Sequence, residues 1–213
     1  MVYSLNPISY CADDLSPAVP ADWLERHRTI HHAGYIRRVN AFLERYPQLQ
    51  GRSVEELLRK THEIPEEIRD ELVFEAGGHA DHQFLWKILG HAKENNAPSG
   101  ELMEALERHF GSFDNFRVQF ELCAMSLHGP GWAFLLRTAP QGVETFEILA
   151  LSGNGSVLPL GKPGVLICDM WEHAYEREHG DDRAAWLRAF WQIVNWDECN
   201  RRLIGMREGK THL

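Results

Sequence analysis

The sequence predicts an α+β protein: an N-terminal arm and helical part over residues 1–92, then a C-terminal α+β part over residues 93–213 with a three-stranded antiparallel sheet. Three observations carry this. Helix-start signals introduce long helical runs before residue 91. A polar stretch, HAKENNAP at 91–98, interrupts the chain and ends in Pro98. Three short β-rich runs between 131 and 169 are divided by Pro/Gly/Asn turns. Helices segregated from a run of strands define the α+β class.

Taken in order, residues 1–20 hold Pro7, Pro17 and Pro20 without a clear period and read as an extended arm. Asp22 is the expected N-cap of a long helix running to about Arg45. A turn at Pro47–Gly51 follows, and Ser53 with Glu56 forms a capping-box pattern for a shorter helix. Pro65, at a first-turn position, opens another helix through about Gly90. Helices over about 99–110 and 112–126 are separated by Gly111-Ser112. Gly131–Thr138, Glu144–Leu151 and Gly164–Asp169 are the three strands. From Asp181 helical spacing returns through Trp186, Phe190, Trp191 and Val194.

With 213 residues and 44% hydrophobic content the chain can bury a sizeable core. A net charge of -9 removes the electrostatic case for general nucleic-acid or membrane-surface binding. No run of about 18 apolar residues suggests a membrane span. The start, MVYSLNPISY, lacks the basic and apolar regions of a secretory leader, so a cytoplasmic location is expected. Cys11, Cys123, Cys168 and Cys199 lie far apart with no C-x-x-C pair, and are expected to be small buried hydrophobes.

Polar chemistry concentrates in three places. On the first long helix His27, His31 and Tyr35 stand at i, i+4 and i+8, and four residues turn a helix by about 400°, so they form one slowly drifting stripe. A half-solvated polar face and a functional site account for it equally well. The next helix carries Gly77-Gly78-His79-Ala80-Asp81-His82. Two mid-helix glycines cost roughly 1 kcal/mol each relative to Ala, which is tolerable where something approaches the backbone. His79 and His82 at i, i+3 can serve a metal, although a single satisfied histidine is the commoner use of such a pair. The third cluster, Asp169-Met170-Trp171-Glu172-His173-Ala174-Tyr175, follows an apolar strand. Its carboxylate and imidazole suit a first-row metal such as iron, manganese or zinc. The lack of clustered thiols argues against a structural zinc site.

These motifs, in this order and approximate spacing, resemble the iron/manganese superoxide dismutases. They are H-x3-H-H-x2-Y on the first helix, G-G-H-x2-H on the second, and D-x-W-E-H-A-Y after a strand. Leu85-Trp86, the Gly129–Trp132 run with Ala133-Phe134, the tail FWQIVNWDE and the arm residues Tyr3, Leu5, Pro7 and Tyr10 extend the similarity over nearly the whole chain. Phe134 stands where a second tryptophan is usual. The resemblance implies a long-helix hairpin domain followed by an α/β domain, and one iron or manganese ion per subunit. The implied ligands are His27, His82, Asp169 and His173. The implied reaction converts superoxide to oxygen and hydrogen peroxide.

By the same resemblance, Tyr35 and His31 gate the substrate path and relay protons. Glu172 and Tyr175 reach across a homodimer interface, to His173 and His31 respectively, with a tetramer as the larger alternative. Trp86, Trp132 and Trp171 wall the site. Arg183 is a candidate source of positive potential at its mouth. One departure stands out. The family sets a glutamine against the bound solvent from one of two positions, and here both, Gly78 and Gly155, are glycine. Asn154, an ordered water and His79 are the candidate replacements. The departure makes a second function conceivable: a dismutase-fold protein whose metal is mistuned, peroxidase-like or merely sequestered.

Overall fold

The computed structural model describes residues 3–210. Residues 1–2 of the expected arm lie outside the described residues. The rest of the arm is extended only over its first residues and then bends and turns about a 3-10 turn, Ala12–Leu15, that buries Leu15. Helix α1, Ala21–Arg26, runs through a π turn, His27–His32, directly into α2, Ala33–Arg45. This is the expected long helix with one correction. Pro20, not Asp22, occupies the N-cap, without a side-chain cap. Asp22 stands in the first turn, where a carboxylate suits the helix dipole, and pairs with Arg26 at 3.5 Å and Arg177 at 2.7 Å.

The capping box before α3, Val54–Arg59, forms as expected, with Glu56 N to Ser53 Oγ at 3.1 Å and Ser53 N to Glu56 Oε2 at 2.8 Å. Helix α4, Glu66–Ile88, follows Pro65, which sits at the N-cap rather than inside the first turn. Helices α5, Gly100–Phe110, and α6, Phe113–Met125, are separated at Gly111, whose φ of +87° admits glycine far more readily than other residues.

Strands β1, Gly131–Thr138, β2, Thr145–Ser152, and β3, Gly164–Asp169, form an antiparallel sheet of order β2-β1-β3. The fold is therefore the α+β arrangement that the sequence implies. The register sets Trp132 opposite Asp169. Helices α7, Glu172–His179, α8, Arg183–Ile193, and α9, Trp196–Arg207, complete the chain; Asp182 and Asn195 cap the last two from their N-cap positions.

Two clusters of buried apolar side chains form the core. The smaller joins α2, α3 and α4 from Ile68 to Ala80, closed by Leu158. The larger surrounds the sheet and takes in Phe84 through Leu89 from the end of α4. Helix α4 thus belongs to both, and His82 lies between Ala80 of the smaller and Phe84 of the larger. Burial in these clusters, at roughly 25 cal/mol per Å² of apolar surface, is what holds the polar site residues at fixed positions. Cys168 and Cys199 are buried as expected, but Cys11 is exposed and Cys123 half-buried; all four are free. Among the described residues no helix is long and apolar enough to cross a membrane.

Candidate metal centre

Four elements bring their polar side chains to one point. His27 opens the π turn, His82 lies on the middle of α4, Asp169 ends β3, and His173 stands in the first turn of α7. π turns recur at functional sites. Asp169 Oδ2 lies 3.1 Å from His27 Nε2, 3.2 Å from His173 Nε2 and 3.9 Å from His82 Nε2. His82 Nε2 is 3.1 Å from His27 Nε2. All four donor atoms lie within 4.8 Å of one another, and His27, His82 and Asp169 are buried.

Hydrogen bonds aim these groups. His82 Nδ1 donates to the Gly78 carbonyl at 2.6 Å, which leaves the Nε2 lone pair facing the cluster. Asp169 Oδ1 accepts from the Trp171 amide at 2.8 Å, so its other oxygen is the free one. Trp186 Nε1 donates to the Asp169 carbonyl at 2.6 Å and pins the end of the strand.

The charges agree with the geometry. Burial lowers His27 to about 4 and holds His82 well below the usual histidine range. Burial pushes the Asp169 carboxyl up, but His173 and His27 outweigh it and hold the group ionised, well below the usual range. The cluster therefore has a buried carboxylate facing His27 and His82, which burial keeps neutral. A bare buried charge of this kind is costly. Atoms bound to one first-row ion at about 2.0–2.2 Å sit roughly 3–4 Å apart, close to most of the spacings here. The residues fit a metal ion held by three imidazole nitrogens and one carboxylate oxygen.

The tryptophans expected around the site are there. Trp86 lies with its ring centroid 4.9 Å from that of His27. Trp132 lies 5.0 Å from His82. Trp171 stacks on His173 at 5.6 Å and donates to the Gly153 carbonyl. His31 stacks on His173 at 4.2 Å, and burial followed by the charge of His173 lowers it to about 4. The Tyr35 ring lies 5.4 Å from His82. Burial raises its phenol to about 12, and the adjacent Asn154 side chain opposes that rise. Glu172 and Tyr175 stand on α7. Among the described residues the Glu172 carboxylate forms no hydrogen bond or ion pair.

Other expectations resolve differently. Arg183 donates to the Leu127 and Ala124 carbonyls at the end of α6. His79 turns away and pairs with His32 at 2.8 Å. A β-carbon on Gly155 would meet Leu151, not the cluster. A β-carbon on Gly78 would lie 2.7 Å from Asn154 Nδ2 and 2.7 Å from the Tyr35 ring, so this glycine makes room for both.

Three contributors escaped the sequence reading. Trp23 packs 4.7 Å from His27 and donates to the Ala174 carbonyl; its place one turn before His27 was the available signal. Trp186 binds the Asp169 carbonyl but sits far along the chain, with no local signal. His32 stacks on His82 at 5.2 Å, and only its place beside His31 hinted at it. Asp81 adjoins His82 without joining the converging donors. Burial pushes its carboxyl well above the usual range, and a hydrogen bond to Ser156 opposes the rise.

A helical unit and an α+β unit that share one N3O metal centre define a metalloprotein of the mononuclear first-row type. Residues 2–90 match the family model for the alpha-hairpin domain of iron/manganese superoxide dismutases, and residues 98–202 match that for their C-terminal domain. The chain belongs to the iron/manganese superoxide dismutase family. It is 37% identical over 202 residues to a Listeria innocua protein named superoxide dismutase [Mn], covering 95% of this chain and 98% of that one. It is 36% identical over 213 residues to one of the same name from Escherichia coli O157:H7, covering 97% and 100%. A third, superoxide dismutase [Mn] 3 of Leptolyngbya boryana, is 35% identical over 198 residues, covering 93% and 81%.

Proposed function

We propose that this protein is a superoxide dismutase that binds one iron or manganese ion through His27, His82, Asp169 and His173. The observation that carries this is the convergence of four donor atoms within 4.8 Å of one another, three of them on buried residues. An ion held there supplies a one-electron couple: one superoxide is oxidised to dioxygen, and a second, taking two protons, is reduced to hydrogen peroxide.

The chain's own residues manage access and protons. Tyr35, kept protonated at neutral pH, offers a hydroxyl donor beside His82. His31, neutral at that pH and half-buried, lies between solvent and His173. We assign Tyr35 and His31 to proton delivery. Trp86, Trp132 and Trp171 exclude water and keep the surroundings apolar.

A homodimer is the proposed assembly, with Glu172 and Tyr175 facing a second copy; the unpaired Glu172 carboxylate suits that reading. We also propose that the chain divides into units 1–92 and 93–213 about the polar segment, and that it works in the cytoplasm, which four free thiols suit. The alternative of mistuned or sequestering metal chemistry rested on two bare glycine positions. It loses support because Asn154 stands beside Gly78 and Tyr35.

The test is superoxide decay after pulse radiolysis, on protein of measured iron and manganese content. The expected result is decay in proportion to metal-loaded protein, abolished in His82→Ala. Decay no faster than with free metal would overturn the proposal.

A further inference from the structure

A cleft of about 820 Å³ opens between the N-terminal arm, α4 and α9. That volume is within the range of small-molecule sites. Its walls are tied together. Arg28 donates to the Asn6 carbonyl at 2.6 Å and Tyr10 to the Trp86 carbonyl at 3.1 Å, which hold the arm against the helices. None of the four converging metal-centre residues lines the cleft. Two of its lining side chains, His32 and Trp86, pack on the ring of His82, so it adjoins the metal centre without being part of it.

The charge of the cleft runs against that of the chain. The protein carries a net charge of -9, yet this wall gathers Lys87, Arg201, Arg202 and Lys210 against only Glu198 and Glu208. Both carboxylates are already engaged. The two oxygens of Glu198 accept from Arg201 at 2.6 and 2.5 Å, and Glu208 accepts from Lys210 at 2.8 Å. Arg202 is placed differently. It is 7% exposed, donates from Nε to the Gly164 carbonyl at 3.1 Å and lies over the Phe84 ring at 4.2 Å. Its terminal nitrogens form no hydrogen bond or ion pair among the described residues. Partial desolvation, and then the charge of Arg202, lower the Lys87 ammonium, so these two cations stand close enough to repel.

A guanidinium taken out of water without a counter-charge is costly, and its remaining donors call for acceptors. The Nε bond and the ring beside it hold the plane of the group, so its terminal donors are ordered before any ligand arrives. A planar fork matches the paired oxygens of a carboxylate or phosphate, and a neighbouring lysine adds a point charge.

We propose that this cleft binds a small oxyanion, a carboxylate or phosphate group held by Arg202 and Lys87. The site is separate from the proposed metal chemistry and does not depend on it. An occupant would meet the metal centre only through the rings of His32 and Trp86.

The test is titration calorimetry of the metal-loaded protein at constant ionic strength, with inorganic phosphate in one arm and acetate in the other. Saturable binding of at least one is expected, at about 1 mM or tighter, the scale of two hydrogen bonds to a charged group. Binding of phosphate alone assigns a phosphate group, of acetate alone a carboxylate, and of both the oxyanion chemistry they share. With metal content equal to wild type, Arg202→Gln and Lys87→Gln should each weaken binding about tenfold or more, the loss of one such bond. Lys87 is exposed, so its variant serves if the one at buried Arg202 fails to fold. No saturable binding of either anion would overturn the proposal. So would affinity within about twofold of wild type in every variant that folds, because an anion bound at the metal instead would be indifferent to both substitutions.

Discussion

Two groups of histidines meet on either side of His82, with His32 and His173 stacked on its ring, and they use the same side chain in opposite ways. His27 and His173 converge with His82 on Asp169 Oδ2. His32 and His79 instead close a chain. Trp86 Nε1 donates to His32 Nδ1 at 2.9 Å, so His32 carries its proton on Nε2 and donates it to His79 Nδ1 at 2.8 Å. In the second cluster each of those donors meets an acceptor, and nothing is left over to bind an ion. In the first, lone pairs face one another around a single carboxylate. Burial depresses the pKa in both, to about 4 for His27 and His79 and to about 2 for His32. What separates a metal centre from a structural histidine pair is the direction of the lone pairs and the nearby charge, not burial or residue type.

The comparison breaks most sharply at Asp169. Asp169→Asn removes the negative charge of the cluster and should lower iron or manganese content and dismutation by about a hundredfold or more, beyond the tenfold to hundredfold cost typical of groups that only support a ligand. Metal analysis with pulse radiolysis measures it; near-normal metal content in that variant would sink the ligand assignment.

Breaking the closed pair should act on stability instead. His79→Leu leaves His32 Nε2 without its acceptor and should cost about 1–3 kcal/mol. Urea unfolding reads the loss, and metal content should stay near one ion per chain. Loss of metal comparable to that in Asp169→Asn would show that the two clusters are not distinct.

Acid should sharpen the contrast further. The unfolded chain protonates its histidines near 6.5, but folded His79 does so only near 4. The stabilising contribution is therefore complete above pH 6.5. It falls as pH drops from 6.5 toward 4, by about 1.4 kcal/mol per unit for a fully buried group. His79→Gln should flatten the dependence of the urea midpoint on pH across that window; an unchanged slope would remove His79 from the account.

The smallest effect is expected from Trp86→Phe. It keeps the apolar wall against His27 and deletes only the donor to His32, for about 1 kcal/mol. A larger loss, with metal released, would assign Trp86 to the centre and not to the pair.

Much of this was readable before any coordinates. The capping box at Ser53 and Glu56, the strand limits and the break at 91–98 follow from local rules, because caps and turns involve residues a few positions apart. The four converging residues were readable for a different reason: each sits in a short motif whose spacing survives in sequence. Asp22 was misplaced as a cap because Pro20, two residues earlier, already sets the entry to the helix. The hydrogen-bond partners of Arg183, the carbonyls at the end of α6, left no local trace because they lie more than fifty residues away. Trp186 left no trace because its partner, the Asp169 carbonyl, lies 17 residues away on another element.

The sequence by itself determined which residue types are present, the helices and strands that carry them, and the family to which those motifs are similar. Local periodicity and capping are encoded over a few residues, so no tertiary knowledge was needed for that. Only the tertiary structure decided which imidazoles converge and which pair off, because His31 and His32 are neighbours in the chain yet stack on different rings, His173 and His82. It also decided that Asn154, and not Gly155, enters the space beside Gly78. That outcome depends on how closely a loop can press against a helix more than seventy residues earlier, a matter of packing between distant segments that no local pattern records.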